Sequence, residues 1–67
     1  MTYKLNSEYI ELCRLIKVSD LVDSGAEAKK LIAAGVVFRN GAVETRKRAK
    51  IRAKERIEIA DLIIDVI

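Results

Sequence analysis

Asn40-Gly41 lies between two short runs of β-forming residues, Val36 to Arg39 and Ala42 to Glu44, and few dipeptides restrict a chain more. A two-residue type I′ turn needs positive φ at both central positions, which asparagine and glycine tolerate. The pair therefore predicts an antiparallel hairpin. A second punctuated element precedes it. Ser24 and Glu27 have the spacing of a capping box, in which the hydroxyl accepts the Glu27 N–H and the carboxylate reaches back to the cap. Gly35 suits the left-handed position that ends a helix. These signals predict a helix from about Gly25 to Ala34, with Ala28, Leu31 and Ile32 as its buried stripe and Ala26, Lys29, Lys30 and Ala33 outward.

The remaining chain carries weaker periodicities. From Glu8 to about Val18, Glu11, Arg14 and Lys17 recur every third position, while Ile10, Leu12, Cys13, Leu15 and Ile16 fill the opposite side. This predicts an amphipathic helix with Ser7 as N-cap. Thr2 to Leu5, Ile57 to Ala60 and Ile63 to Val66 read as strands, the last two joined by a turn near Asp61. The predicted fold is α+β, two helices packed on a small, mostly antiparallel sheet, in a single domain spanning residues 1–67 with its core motif over about 8–60.

A chain of 67 residues buries only about 60% of its unfolded surface, so its core is modest. No apolar run approaches the roughly 18 to 20 residues of a membrane span, and the start lacks a basic-then-apolar signal pattern. A cytoplasmic location and no membrane partner are expected. With no histidine and one cysteine, Cys13, the chain has neither a zinc ligand set nor the usual general base, and Cys13 falls among the apolar positions of its helix. No enzyme activity, metal or cofactor is expected. The acidic residues Glu8, Glu11, Asp20 and Asp23 read as a solvated side of the molecule.

Charge is unevenly spread. Lys29 to Arg56 holds ten basic residues against two acidic ones, a net charge of +8, whereas the remainder holds three against eight, a net charge of −5. Such polarity suits a polyanionic partner. Arg46 to Arg56 alone carries seven cations, with Ala49, Ile51 and Ala53 as apolar anchors. Four cations between Arg46 and Lys50 repel one another, and a polyphosphate relieves that repulsion while releasing counterions. Phe38 reads as core slightly ahead of a base-stacking platform, and Tyr3 and Tyr9 read as packing residues.

Ser24-Gly25, Lys29-Lys30, Leu31-Ile32, Gly35, Val37 and Asn40-Gly41 together resemble the RNA-binding domain named after ribosomal protein S-four, the α-L motif. Val43 to Arg48 resembles the small free-standing bacterial branch of that family, the YbcJ- or YaaA-like proteins, in which the domain is the whole protein. Three positions depart from the family pattern. Gly25 stands where many members have arginine, so that phosphate contact is absent unless Lys29 or Lys30 substitutes. Lys54-Glu55 replaces the usual Gly-Asp before the late strand, and Phe38-Arg39 falls where a polar and then an apolar residue are commoner. The resemblance implies an RNA-binding surface of Gly25, Lys29, Lys30, Arg39, Arg46, Lys47, Arg48 and Lys50. Its implied partner is structured RNA, ribosomal or transfer RNA, with association to the ribosome or an RNA-modifying enzyme. The competing readings are a protein-interaction module docking an acidic partner and an accessory domain that serves an RNA-modifying enzyme in trans.

Overall fold

The hairpin forms as its central dipeptide demands. In the computed structural model, which describes residues 1–67, φ is 52° at Asn40 and 88° at Gly41. Phe38 pairs with Val43 and Arg39 with Ala42 across the turn. The elements in chain order are β1 (Thr2–Tyr3), β2 (Ile10–Glu11), α1 (Leu12–Val18), α2 (Gly25–Ala33), β3 (Val37–Arg39), β4 (Ala42–Val43), β5 (Lys50–Ile51), β6 (Arg56–Ile59) and β7 (Leu62–Val66). One sheet has the order β1-β7-β6-β3-β4, all antiparallel except the β1–β7 pair, and β2 and β5 form a second, two-stranded antiparallel ribbon. The expected α+β arrangement of two helices on a mostly antiparallel sheet is the observed one.

Alternation along β6 and β7 sorts their side chains. Ile57, Ile59, Ile64 and Val66 point inward and are buried, whereas Arg56, Glu58 and Ile63 fall on the other face. The inward set meets Leu12, Leu15 and Ile16 of α1 and Ala28 and Ile32 of α2, and Val37 and Ile51 complete the core. Burying each such Leu or Ile is worth about 1.5–3 kcal/mol over leaving it exposed. Cys13 belongs to this core. Leu31, predicted in the buried stripe of α2, is half-buried and packs at the core's margin.

The helix boundaries hold at α2 and fail at α1. Ser24, in extended geometry, accepts the Glu27 N–H at 3.2 Å. The Glu27 carboxylate accepts the N–H of Asp23, one residue before the cap, at 3.3 Å. Gly35 adopts φ of 77° beyond the last turn. The first helix, expected from Glu8 with a Ser7 cap, begins at Leu12. The Ser7 hydroxyl instead donates to the Tyr9 carbonyl, and Ile10 and Glu11 pair with Ile51 and Lys50. The orphan N–H groups at the helix start find backbone partners, Leu12 donating to the Ala49 carbonyl at 3.0 Å and Cys13 to the Lys47 carbonyl at 3.1 Å. A segment almost forty residues downstream therefore does the capping that the sequence assigned to a side chain. Of the three anchors expected in that segment, Ala49 and Ile51 are buried, but Ala53 is exposed.

The departure at Lys54-Glu55 leaves the tight turn intact. Lys54 takes φ of 74°, where an L-residue with a Cβ is penalised by about 1–2 kcal/mol. Glycine avoids that penalty but loses up to about 1 kcal/mol through its freer unfolded chain. Lys54→Gly is therefore expected to raise stability by up to about 1 kcal/mol, read as a higher urea midpoint at unchanged slope. A lower midpoint would show that the lysine side chain itself supports the turn.

Candidate nucleic-acid interface

The basic segment after β4 is laid along the start of α1 by the backbone bonds to Lys47 and Ala49 and by the β2–β5 pairing. Inward positions Ala49 and Ile51 alternate with outward Arg48, Lys50 and Arg52. The two-residue period thus turns a charge run into a row of cations on one side. α1 supplies a second row through Arg14 and Lys17, both exposed. α2 packs beside α1 and presents the half-buried Lys29 from its middle.

These rows converge. Glu11, Cys13, Arg14, Lys17, Gly25, Lys29 and Arg48 line one surface groove of about 200 Å³. Arg48 also borders a neighbouring hollow of about 510 Å³ lined by Arg39, Arg46, Ala49, Lys50 and Arg52. Through Arg48 the two form a continuous basic track across α1, α2 and the post-hairpin segment. Gly25 forms part of the floor, and a Cβ built there meets nothing within 4 Å. The track at that point is open space.

A carboxylate hub sets the shape of the second hollow. Glu44 is the one buried charged residue, 8% exposed. It accepts from the Arg46 backbone N–H at 3.1 Å, from Arg46 Nε and Nη2 at 3.0 Å each, and from Arg39 Nη1 at 3.2 Å. These donors, Arg46 foremost, hold its carboxyl down at about 2 against the burial that opposes ionisation. Arg39 in turn donates from Nε and Nη2 to Glu55 at 2.7 and 3.0 Å and from Nη2 to the Lys50 carbonyl at 2.9 Å. Glu55 also accepts the Arg52 N–H at 2.6 Å and the Asn40 amide at 3.1 Å. The Arg39 hydrogen bonds lower the Glu55 pKa, and the same bonds raise that of Arg39. This network ties the hairpin tip, the basic segment and the start of β6 together.

A sequence profile of the S4 domain family matches residues 3–67. The chain belongs to the S4 domain family. YbcJ of Escherichia coli (strain K12) is 46% identical over 59 residues, covering 88% of this chain and 84% of that protein, and YbcJ of Shigella flexneri matches to the same extent. The solution structure of E. coli YbcJ superimposes with a TM-score of 0.76 at 43% identity, covering 98% of this chain and 85% of that one. It is described as an αL motif involved in RNA-binding. The fold of this S4 domain is that αL motif.

In the S4 domain the eight residues singled out in the sequence do not share one role. Gly25, Lys29 and Arg48 meet in the first groove, and Arg46, Arg48 and Lys50 flank the second hollow. Arg39 lies at the base of that hollow with its guanidinium committed to Glu44, Glu55 and Lys50. Lys30, one residue and about 100° round the helix from Lys29, borders a different, apolar groove with Leu21, Leu31 and Phe38. Lys47 is exposed and borders neither part of the track, its carbonyl being used to cap α1. Arg14, Lys17 and Arg52 belong to the track but were not among the eight. The three-residue spacing of Arg14 and Lys17 marked them as one exposed face, yet only folding reveals that this face borders Arg48. Phe38 is not core; it is 39% exposed at the margin of the apolar groove. Tyr9, read as packing, is 37% exposed, with Lys50 Nζ 5.1 Å and Arg52 Cζ 5.8 Å from its ring centroid.

Proposed function

We propose that this S4 domain binds structured RNA, ribosomal or transfer RNA, as a non-catalytic module in the cytoplasm, alongside the ribosome or an RNA-modifying enzyme. The observation that carries the reading is the continuous track in which cations from α1, α2 and the post-hairpin segment meet at Arg48. The description of E. coli YbcJ as an αL motif involved in RNA-binding supports it. A-form RNA presents phosphates and 2′-hydroxyls across a wide, shallow minor groove and is recognised mostly by shape. Rows of cations on rigid elements suit that geometry. The arginine forks of Arg14, Arg48 and Arg52 bridge phosphate oxygens, and Lys17, Lys29 and Lys50 act as mobile point charges.

If the five track cations Arg14, Lys17, Lys29, Arg48 and Lys50 each neutralise one phosphate, log affinity falls against log salt with a slope of about −3.5 to −4.5. Between 50 and 200 mM salt, affinity for an RNA hairpin should drop roughly 100- to 500-fold. Titration of the hairpin at four salt concentrations reads the slope, and an affinity independent of salt overturns the proposal.

A further inference from the structure

Tyr9 stands beside the basic track, next to Lys50 and Arg52 of its second hollow. Ile10 of β2 is buried and pairs with Ile51 of β5, so Tyr9 on one side of Ile10 and Lys50 and Arg52 on either side of Ile51 are turned outward together. Lys50 and Arg52 lie within cation–π distance of the ring, which restrains its orientation before any ligand arrives. On its other side the ring walls a hollow of about 350 Å³, bounded also by Tyr3, Asn6, Glu8, Glu11 and Arg14. Glu11 and Arg14 line the first groove of the track as well. The hollow is therefore a side chamber of that groove.

Its walls select the ligand. Glu8 and Glu11 repel a phosphate but accept hydrogen bonds from a neutral base, and the Tyr9 face offers a stacking surface. The volume lies at the small end of the roughly 300–1,000 Å³ range of small-molecule sites, enough for a single base and short of an extended strand. Arg14 at the entrance is placed to hold the phosphate of the nucleotide whose base enters.

We propose that Tyr9 and its adjoining hollow take up one unpaired base of the bound RNA, so that the domain distinguishes RNA containing a loop or bulge from continuous duplex. The assignment rests on the RNA-binding reading above. Shape and charge then anchor the helical part of the RNA, and stacking on Tyr9 reports a base out of its helix.

The test compares a perfect RNA duplex with a hairpin of equal phosphate number whose loop bases are unpaired. Wild-type protein should favour the hairpin by roughly 5- to 150-fold, the range of one base–aromatic stack. Tyr9→Phe should keep that preference and Tyr9→Leu should lose it, while affinity for the duplex and the salt slope stay at wild-type values in both. Because the chain has no tryptophan, Tyr9→Trp provides an independent readout: its emission should be quenched by the hairpin and not by the duplex. Equal wild-type affinity for the two RNAs, a preference that survives Tyr9→Leu, or a Tyr9→Trp signal blind to the hairpin overturns the assignment while leaving RNA binding intact. Failure of the wild-type protein to bind either RNA overturns both.

Discussion

Replacing Arg14, Lys17, Lys29 and Arg48 together with alanine should reduce RNA affinity on the order of a thousand-fold at 0.1 M salt and flatten the salt slope by about three to four. Each phosphate contact releases most of one condensed counterion, and four such contacts meet in the groove between α1, α2 and the basic segment. Three of the four positions are helical, where alanine is the best helix former, so the fold should survive. Lys30→Ala is the internal control. Lys30 is adjacent in sequence to Lys29 but turned towards the apolar groove, and its loss should change affinity by less than about twofold, through long-range charge alone. RNA titrations of both variants at several salt concentrations, with circular dichroism to check folding, decide the matter. A Lys30→Ala loss as large as that of Lys29→Ala would place the RNA across the wrong side of α2.

Glu44→Gln should cost about 1–3 kcal/mol of stability at pH 7, because a neutral amide, with one oxygen to accept, replaces the buried carboxylate that takes hydrogen bonds from the exposed Arg46 and from Arg39. A domain of this size has a total of only about 3–10 kcal/mol to lose. The same carboxylate makes stability depend on acid. Its pKa falls from the usual 4.5 to about 2 on folding, so its contribution is complete above about pH 4.5 and is lost as the pH drops towards 2. Glu55, also lowered, acts in the same direction. Urea melts of the wild type should therefore weaken steeply between pH 4.5 and 2, and those of Glu44→Gln should be less stable at neutral pH and flatter across that interval. Equal stability of the two proteins at pH 7 would mean that the hub contributes nothing net.

What the sequence disclosed was what neighbouring residues decide among themselves. The cap at Ser24, the stop at Gly35 and the turn at Asn40-Gly41 each depend on a few adjacent positions, and all three stand where local chemistry puts them. The start of α1 depends on Lys47 to Ile51, and no local pattern around Ser7 to Glu11 shows that a distant strand will pair with Ile10. The same separation hid the fate of Arg39 and Glu44. Counted along the chain they are one cation in a basic tract and one stray acid, yet folded they neutralise each other along with Glu55. The divergence of Lys29 and Lys30 is of another kind, since helical phase alone separates neighbouring residues by about 100°. It was legible in principle, but the buried stripe of α2 is too short to fix which of two flanking lysines borders α1.

The parallel pairing of β1 with β7 joins stretches about 62 residues apart along the chain. Of all the contacts in the molecule it closes the longest loop, and loop-closure entropy is repaid only once the ribbon between Arg56 and Val66 is in place. By its sequence separation that seam is expected among the last to form during folding. Tyr3 lies in it and also walls the hollow beside Tyr9. The strand pairing that closes the longest loop of the chain thus also fixes one wall of that hollow.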